Sequence, residues 1–225
     1  SGATVNRFCS SGLEAIALAS LRVMAGWSDI TIGGGVESMT YVPMGGNLPR
    51  PHPEYTRKMA DLYASMGITA ENVANRYNIS REAQDAFAAA SQQKAEAAQK
   101  ANRLDEEIIP VEIPQRKGDP IIFAQDEFPR HGTTLEKLSK LRPAFDREGS
   151  VTAGNASGIN DGASFMLVAS EEAVKKYNLT PLVEIVGIGQ GGVDPSIMGM
   201  GPVPAIKHAL AHANMELSQM ELLEL

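Results

Sequence analysis

Cysteine is almost missing from this chain: Cys9 is the only one in 225 residues. A single thiol excludes an intrachain disulfide framework and a zinc site built on several cysteines. Positive charge is in deficit as well. Twenty Lys and Arg stand against 27 Asp and Glu, a formal net charge of −7, which argues against broad nucleic-acid binding. No apolar run reaches the length of a membrane span. The glycines at 33–35 are not part of a G-x-G-x-x-G fingerprint with its helix and acidic residue, so they do not read as a dinucleotide site. His208 and His212 stand i, i+4 on one predicted helix, but no Glu follows His208 as a metalloprotease requires. We read them as a surface pair and expect no metal. His52 lies among prolines and His131 in a loop. The first residue is Ser1 rather than Met, so no targeting segment is legible.

What is present is a globular composition, 43% hydrophobic and 21% charged, long enough for one large domain or parts of two. The stretch Val5-Asn6-Arg7-Phe8-Cys9-Ser10-Ser11-Gly12-Leu13 puts the thiol between a short β-prone run and a long apolar helix. From Leu13 to Trp27 only Glu14 and Arg22 are charged, so this helix is expected to be mostly buried. Ser10, Ser11 and Gly12 are small enough for a tight turn and a close ligand. A helix N-terminus carries partial positive charge and unpaired N–H groups. Both favour a thiolate, the nucleophilic form. A lone cysteine is more ordinarily a small buried hydrophobe, and the local pattern leaves both readings open.

Downstream, residues 30–36 read as a buried strand running into a glycine turn, and Tyr41 to Glu54, with prolines at 43, 49, 51 and 53, as irregular chain. Thr69 is expected to cap a helix through Tyr77. Ser80 is expected to cap the next, Arg81 to Ala101, with Ala83, Ala86, Phe87 and Ala90 on its packed face. Strands are predicted at 108–113 and 121–123, and a short helix at 135–141 stopped before Pro143. A buried strand at 164–169 then leads to a helix from Glu171 to Tyr177 capped by Ser170. A strand at 182–188 ends in Gly189-Gln190-Gly191-Gly192, and Pro204 opens a helix to Ala213. Strands alternating with helices make this an α/β chain with an inserted mixed region.

Five blocks, in order, resemble the thiolases, enzymes that make or cleave 3-oxoacyl-CoA. They are Val5 to Leu13, which resembles the nucleophile motif, then Gly33-Gly34-Gly35-Val36-Glu37-Ser38-Met39 and Met66-Gly67-Ile68-Thr69-Ala70-Glu71-Asn72. Gly154-Asn155-Ala156-Ser157-Gly158-Ile159-Asn160-Asp161-Gly162-Ala163 and the run from Asp194 to Ala205 complete the set. The resemblance extends from end to end of the chain. It implies the layered α/β/α/β/α thiolase fold, present incompletely. Residues 1–40 and 159–180 would belong to an N-terminal thiolase domain, 41–158 to an inserted mixed α+β loop domain that binds coenzyme A, and 181–225 to the start of a C-terminal thiolase domain.

The resemblance also implies roles. Cys9 would attack the ketone and carry the acyl group while acetyl-CoA leaves, its own backbone N–H helping to hold an oxyanion. Met66 would line the pantetheine channel and Ser157 would hydrogen-bond a pantetheine amide. Arg130 and Phe145 would contact the nucleotide end, with Ala153 beside it, and Met198 would form part of the wall near the thioester. An apolar tunnel suits pantetheine, an aromatic suits adenine and an arginine suits phosphate. Taken singly, the methionines read as packing and the arginine as a solvated charge. Coenzyme A is then a substrate, with no bound cofactor. A homodimer or homotetramer follows from the family, with no nucleic acid and no membrane span. The compartment would be cytoplasmic in a bacterium, and otherwise peroxisomal or mitochondrial matrix.

The family further uses a second cysteine, a histidine and the asparagine of an Asn-Glu-Ala-Phe segment. This chain has one cysteine, and Glu221 to Leu225 look like the strand before that segment. It is therefore expected to be the middle of a longer thiolase, inactive alone. Ser65 stands where short-chain biosynthetic members often carry His. With the proline-rich loop between Glu37 and Met66 and the run Asp194 to Gly199, it points to a degradative 3-ketoacyl-CoA thiolase of fatty-acid β-oxidation. The alternatives are an acetyl-CoA acetyltransferase working on acetoacetyl-CoA, and a non-catalytic acyl-CoA or lipid carrier on the same scaffold.

Overall fold

The structure, a computed structural model, describes residues 1–224. Its elements in chain order are α1 (Ser11–Met24), β1 (Ile30–Glu37), α2 (Pro53–Lys58), α3 (Met66–Tyr77), α4 (Arg81–Lys100), β2 (Val111–Ile113), β3 (Ile121–Phe123), α5 (Leu135–Ser139), β4 (Gly162–Ala169), α6 (Glu171–Tyr177) and α7 (Pro202–Ala213). They fall into two units. One holds Ser1–Lys58, Ile159–Asp194 and the chain from Met200 onward; the other holds Met59–Gly158 and Pro195–Gly199. Residues 41–58 thus group with the first unit, and 195–199 with the second.

In the first unit β1 and β4 pair antiparallel over their full length, Ile30 opposite Ala169 and Glu37 opposite Gly162. Helix α1 lies on this two-stranded sheet. β1 runs straight through its three glycines instead of turning at them. A Cβ at Gly33 would fall 2.9 Å from the Ile16 Cα and 3.0 Å from the Ala15 carbonyl oxygen, so the helix backbone rests on that residue. Two residues on, a Cβ at Gly35 would lie 3.5 Å from the Gly12 Cα. A Cβ at Gly34 would collide with Ser164 and Phe165 of the paired strand. Glycine marks turns and close backbone approaches alike; here it serves the second purpose.

Two strands cover one stripe of α1. Ala17, Ala19 and Ser20 are buried, while Leu13, Leu21, Met24 and Trp27 are exposed. Ile32, Val36, Phe165, Met166 and Leu167 are exposed as well. The burial expected of these elements is not reached because each apolar face needs a second layer, which the described residues do not supply. The strand predicted at 182–188 does not form either. Those residues have no ladder partner among the described residues, and the segment packs on α7 instead. A Cβ at Gly187 would meet the Ala209 oxygen at 2.7 Å, and one at Gly189 the Ala205 oxygen at 2.1 Å. His212 and His208 are drawn into the same contact, each placing Nδ1 3.2 Å from a backbone oxygen, of Ile188 and Gln190 respectively. Residues 221–224 are also not a strand, and Leu225 of that predicted strand lies outside the described residues.

In the second unit α3 begins one turn before the predicted cap. Ser65 precedes it in extended backbone, and Thr69 is inside the helix, its hydroxyl donating to the Met66 oxygen at 2.9 Å. Asn78, left-handed at φ 53°, ends α3. Ser80 caps α4 by accepting from the Ala83 N–H at 3.2 Å. The packed face of α4 is not the predicted one. Phe87 is 80% exposed, whereas Asp85 and Ala89 are buried, and the sheltered stripe carries Arg81, Gln84, Gln92, Glu96 and Gln99. β2 and β3 form a short antiparallel hairpin, Val111 opposite Phe123.

The contact of α1 with β1 sets the first prediction. Gly33→Val is expected to cost about 1–3 kcal/mol, read as a lowered melting temperature of the full-length protein. Gly2→Val, which meets open space, should leave it unchanged. An unaltered melting temperature for Gly33→Val would contradict the packing.

Candidate active site

Cys9 sits in a 3-10 turn, Phe8–Ser10, that runs straight into the 14 residues of α1. Its thiol is free and exposed. Neighbouring polar groups tie the turn to itself. The Phe8 N–H donates to Asn6 Oδ1 at 2.9 Å and the Arg7 N–H to Ser11 Oγ at 2.9 Å. Ser11 Oγ in turn donates to the Phe8 oxygen at 2.6 Å. The Arg7 guanidinium pairs with the Glu14 carboxylate at 2.7 Å, which also accepts from Gln190 Nε2 at 3.4 Å. Phe8 itself is left-handed, at φ 49°. That conformation is rare for a bulky side chain and costs energy wherever it is held. An open thiol at the start of a long helix, on a turn fixed by five local bonds, can act as a nucleophile.

The other six candidates, Met66, Arg130, Phe145, Ala153, Ser157 and Met198, all belong to the second unit, and all are exposed. Helix α3 is the element to which most of their segments attach. Met66 opens it. A Cβ at Gly67 would lie 2.1 Å from the Phe145 ring, so that ring rests on the first turn. The Glu71 carboxylate accepts from the backbone N–H groups of Ser150, at 3.0 and 2.9 Å, and Val151, at 2.8 Å. It thereby holds the segment that leads to Ala153 and Ser157. Asn72 Nδ2 donates to the Ser196 oxygen at 2.9 Å, fastening the segment of Met198.

Arg130 attaches to α4. Its backbone N–H donates to Gln92 Oε1 at 2.7 Å, and two residues on the Gly132 N–H donates to Glu96 Oε2 at 2.7 Å. The Lys100 ammonium and that N–H hold the Glu96 carboxyl below the ordinary carboxylate range. His131 also engages α4, with Nε2 2.7 Å from Gln99 Oε1. A cleft of about 280 Å³ beside this loop is lined by Gln99, Gln125, Asp126, Glu127, Pro129 and His131. A second, of about 410 Å³, lies between α4 and α5. Neither is lined by any of the six.

Sequence reasoning passed over Glu71, Asn72, Asp85 and Asn155. Asp85 is 1% exposed and pairs with Arg81 Nε at 2.7 Å while accepting from Asn155 Nδ2 at 2.9 Å. Glu71 and Asn72 lie within one of the recognised blocks and Asn155 within another.

Comparison with known proteins agrees across the chain. The family model for the thiolase N-terminal domain matches residues 1–172, and that for the thiolase C-terminal domain matches residues 179–225. The chain is 51% identical to an acetyl-CoA acetyltransferase of Allochromatium vinosum, over 98% of this chain and 59% of that protein. It is 50% identical to a probable acetyl-CoA acyltransferase of Staphylococcus aureus, over 99% of this chain and 60% of that one. The crystal structure of the Bacillus anthracis acetyl-CoA acetyltransferase superposes with a TM-score of 0.84 at 39% identity, covering 97% of this chain and 58% of the other. The chain thus spans about 60% of the length of the curated relatives it matches.

The strain at Phe8 is directly testable. Phe8 is 68% exposed, so little packing among the described residues opposes relief of the backbone. Phe8→Gly is expected to stabilise the full-length protein by about 1 kcal/mol, strain relief outweighing glycine's extra chain entropy. Loss of stability in denaturant titration would contradict a strained turn.

Proposed function

The chain belongs to the thiolase family, and on that premise we propose that the protein is an acetyl-CoA acetyltransferase that cleaves or forms acetoacetyl-CoA through an acetyl-cysteine at Cys9. The observation that carries this reading is the free, exposed thiol on a locally bonded turn at the start of α1. In the cleavage direction the Cys9 thiolate attacks the ketone carbon, and the developing oxyanion needs a hydrogen-bond donor. The bond between the α and β carbons then breaks, its electron pair remains on the α carbon, and a proton delivered there completes acetyl-CoA. The thiolate of free coenzyme A next attacks the acetyl-cysteine carbonyl. A second acetyl-CoA leaves and the Cys9 thiolate is restored. The reverse sequence condenses two acetyl-CoA molecules.

The names of the Allochromatium and Bacillus relatives support the acetyl substrate. Ser65 and the proline-rich loop before it favour a second reading, thiolysis of longer 3-oxoacyl-CoA in β-oxidation. In either case we assign coenzyme A contacts to Met66, Arg130, Phe145, Ala153, Ser157 and Met198.

Thiolysis by the full-length protein separates these readings. Acetoacetyl-CoA should be cleaved with higher kcat/KM than longer 3-oxoacyl-CoA, and Cys9→Ala should lower kcat by about 10³-fold or more. A preference that rises with chain length would favour the β-oxidation reading. Coenzyme A binding without turnover of either substrate would identify a carrier.

A further inference from the structure

Glu71 is a buried carboxylate, 4% exposed, and it has no ion-pair partner among the described residues. Its partners are donors from one loop: the N–H groups of Ser150 and Val151 and, at 3.1 Å, the Ser150 hydroxyl. Residue 149 is glycine where this carboxylate enters, since a Cβ there would lie 2.2 Å from Oε1. The rest of the loop is bonded as fully. Asn155, fixed by Asp85, accepts from the Thr152 N–H at 2.7 Å and donates to the Ser150 oxygen at 3.0 Å. Thr152 Oγ1 accepts from the N–H groups of Gly154 and Asn155 at 3.2 and 3.3 Å. The Ala144 N–H donates to the Val151 oxygen at 2.9 Å, which joins the neighbouring arm, with Phe145, to the same anchor.

Two buried carboxylates, one on α3 directly and one on α4 through Asn155, therefore hold the backbone of residues 150–155. Ala153 and Ser157 are exposed, and the Phe145 ring is held on Gly67 beside Met66. We propose that Glu71 is a positioning residue for coenzyme A, holding this loop in the form that receives the pantetheine arm while taking no part in the chemistry at Cys9. The inference rests on the assignment of the coenzyme A contacts to this unit. Glu71→Gln keeps the side-chain shape but gives up one acceptor oxygen and turns an NH2 group toward backbone N–H donors.

The test uses the full-length protein, with coenzyme A as the probe in both thiolysis kinetics and calorimetric titration. Glu71→Gln is expected to raise the KM and the dissociation constant for coenzyme A about tenfold, with kcat within about twofold. The rate of Cys9 alkylation by iodoacetamide without coenzyme A should be unchanged. A merely structural role would lower the melting temperature without separating KM from kcat. Wild-type binding with Glu71→Gln unaltered, or a fall in kcat at constant KM, would overturn the inference alone. Absence of coenzyme A binding by the wild type would overturn the underlying reading and the inference with it. If Glu71→Gln does not fold, Ser150→Ala removes the hydroxyl donor to Glu71, together with the acceptor of Gln84 Nε2, and leaves both N–H bonds to Glu71; it should raise KM about two- to threefold, and an unchanged KM would overturn the proposal.

Discussion

Backbone N–H and C=O groups taken out of water must find partners, and in the second unit that requirement fixes the segment 150–155 on α3 and α4. Between Asn102 and Gly158 the regular structure amounts to one three-residue hairpin pair and one five-residue helix. Ladders serve little of this irregular chain, and side chains of α3 and α4 fasten it at several backbone groups. Glu71 takes two N–H groups, and Gln92 and Glu96 take one each. The Arg81 guanidinium donates to the oxygens of Leu138 and Leu141 at 2.8 and 3.0 Å. Bonds to ionised groups are the stronger ones, and a buried carboxylate stripped of its donors is costly. Helix and loop hold each other in place for that reason.

The first unit meets a different constraint, the approach of a helix to a sheet. Gly33 removes the side chain that would keep α1 at ordinary distance from β1, and at Gly35 a Cβ would already touch the Gly12 backbone at 3.5 Å. The hydroxyl of Thr31 closes the contact by donating to the Ala19 oxygen at 3.1 Å. The start of α1, with the Cys9 turn, is thereby set against the end of β1. A side chain at Gly33 would act on the thiol through the position of the helix. The positive φ of Phe8 completes that placement, since the chain must enter α1 from a left-handed residue.

The sequence was legible where local chemistry acts alone. Ser80 and Ser170 cap the helices predicted for them, and the cysteine lies at the helix start its flanking small residues indicate. Legibility failed where a residue serves a distant partner. The hydrophobic pattern of α4 pointed to Phe87, but the helix turns its polar side inward because its neighbours are loops rather than apolar surface. Residues 182–188 have strand composition, yet a strand exists only with a ladder partner, and α7 is what they pack on. Apolar sequence likewise predicted buried strands at 30–36 and 164–169, although burial depends on a covering layer. Of the candidate site residues, Cys9, Met66, Ser157 and Met198 lie within family blocks, whereas the anchoring roles of Glu71 and Asp85 were not legible, because a carboxylate reads as surface until the loop that surrounds it is known.

The central claim is that Cys9 carries the acyl group between two coenzyme A thiols. Trapping that intermediate tests it most directly. The full-length protein would be mixed with acetyl-CoA, quenched in acid and digested, and its peptides weighed. The account predicts one added acetyl group on the peptide containing Cys9, removed when free coenzyme A is supplied before the quench. Acetylation confined to another residue, or turnover with Cys9 never modified, would contradict it.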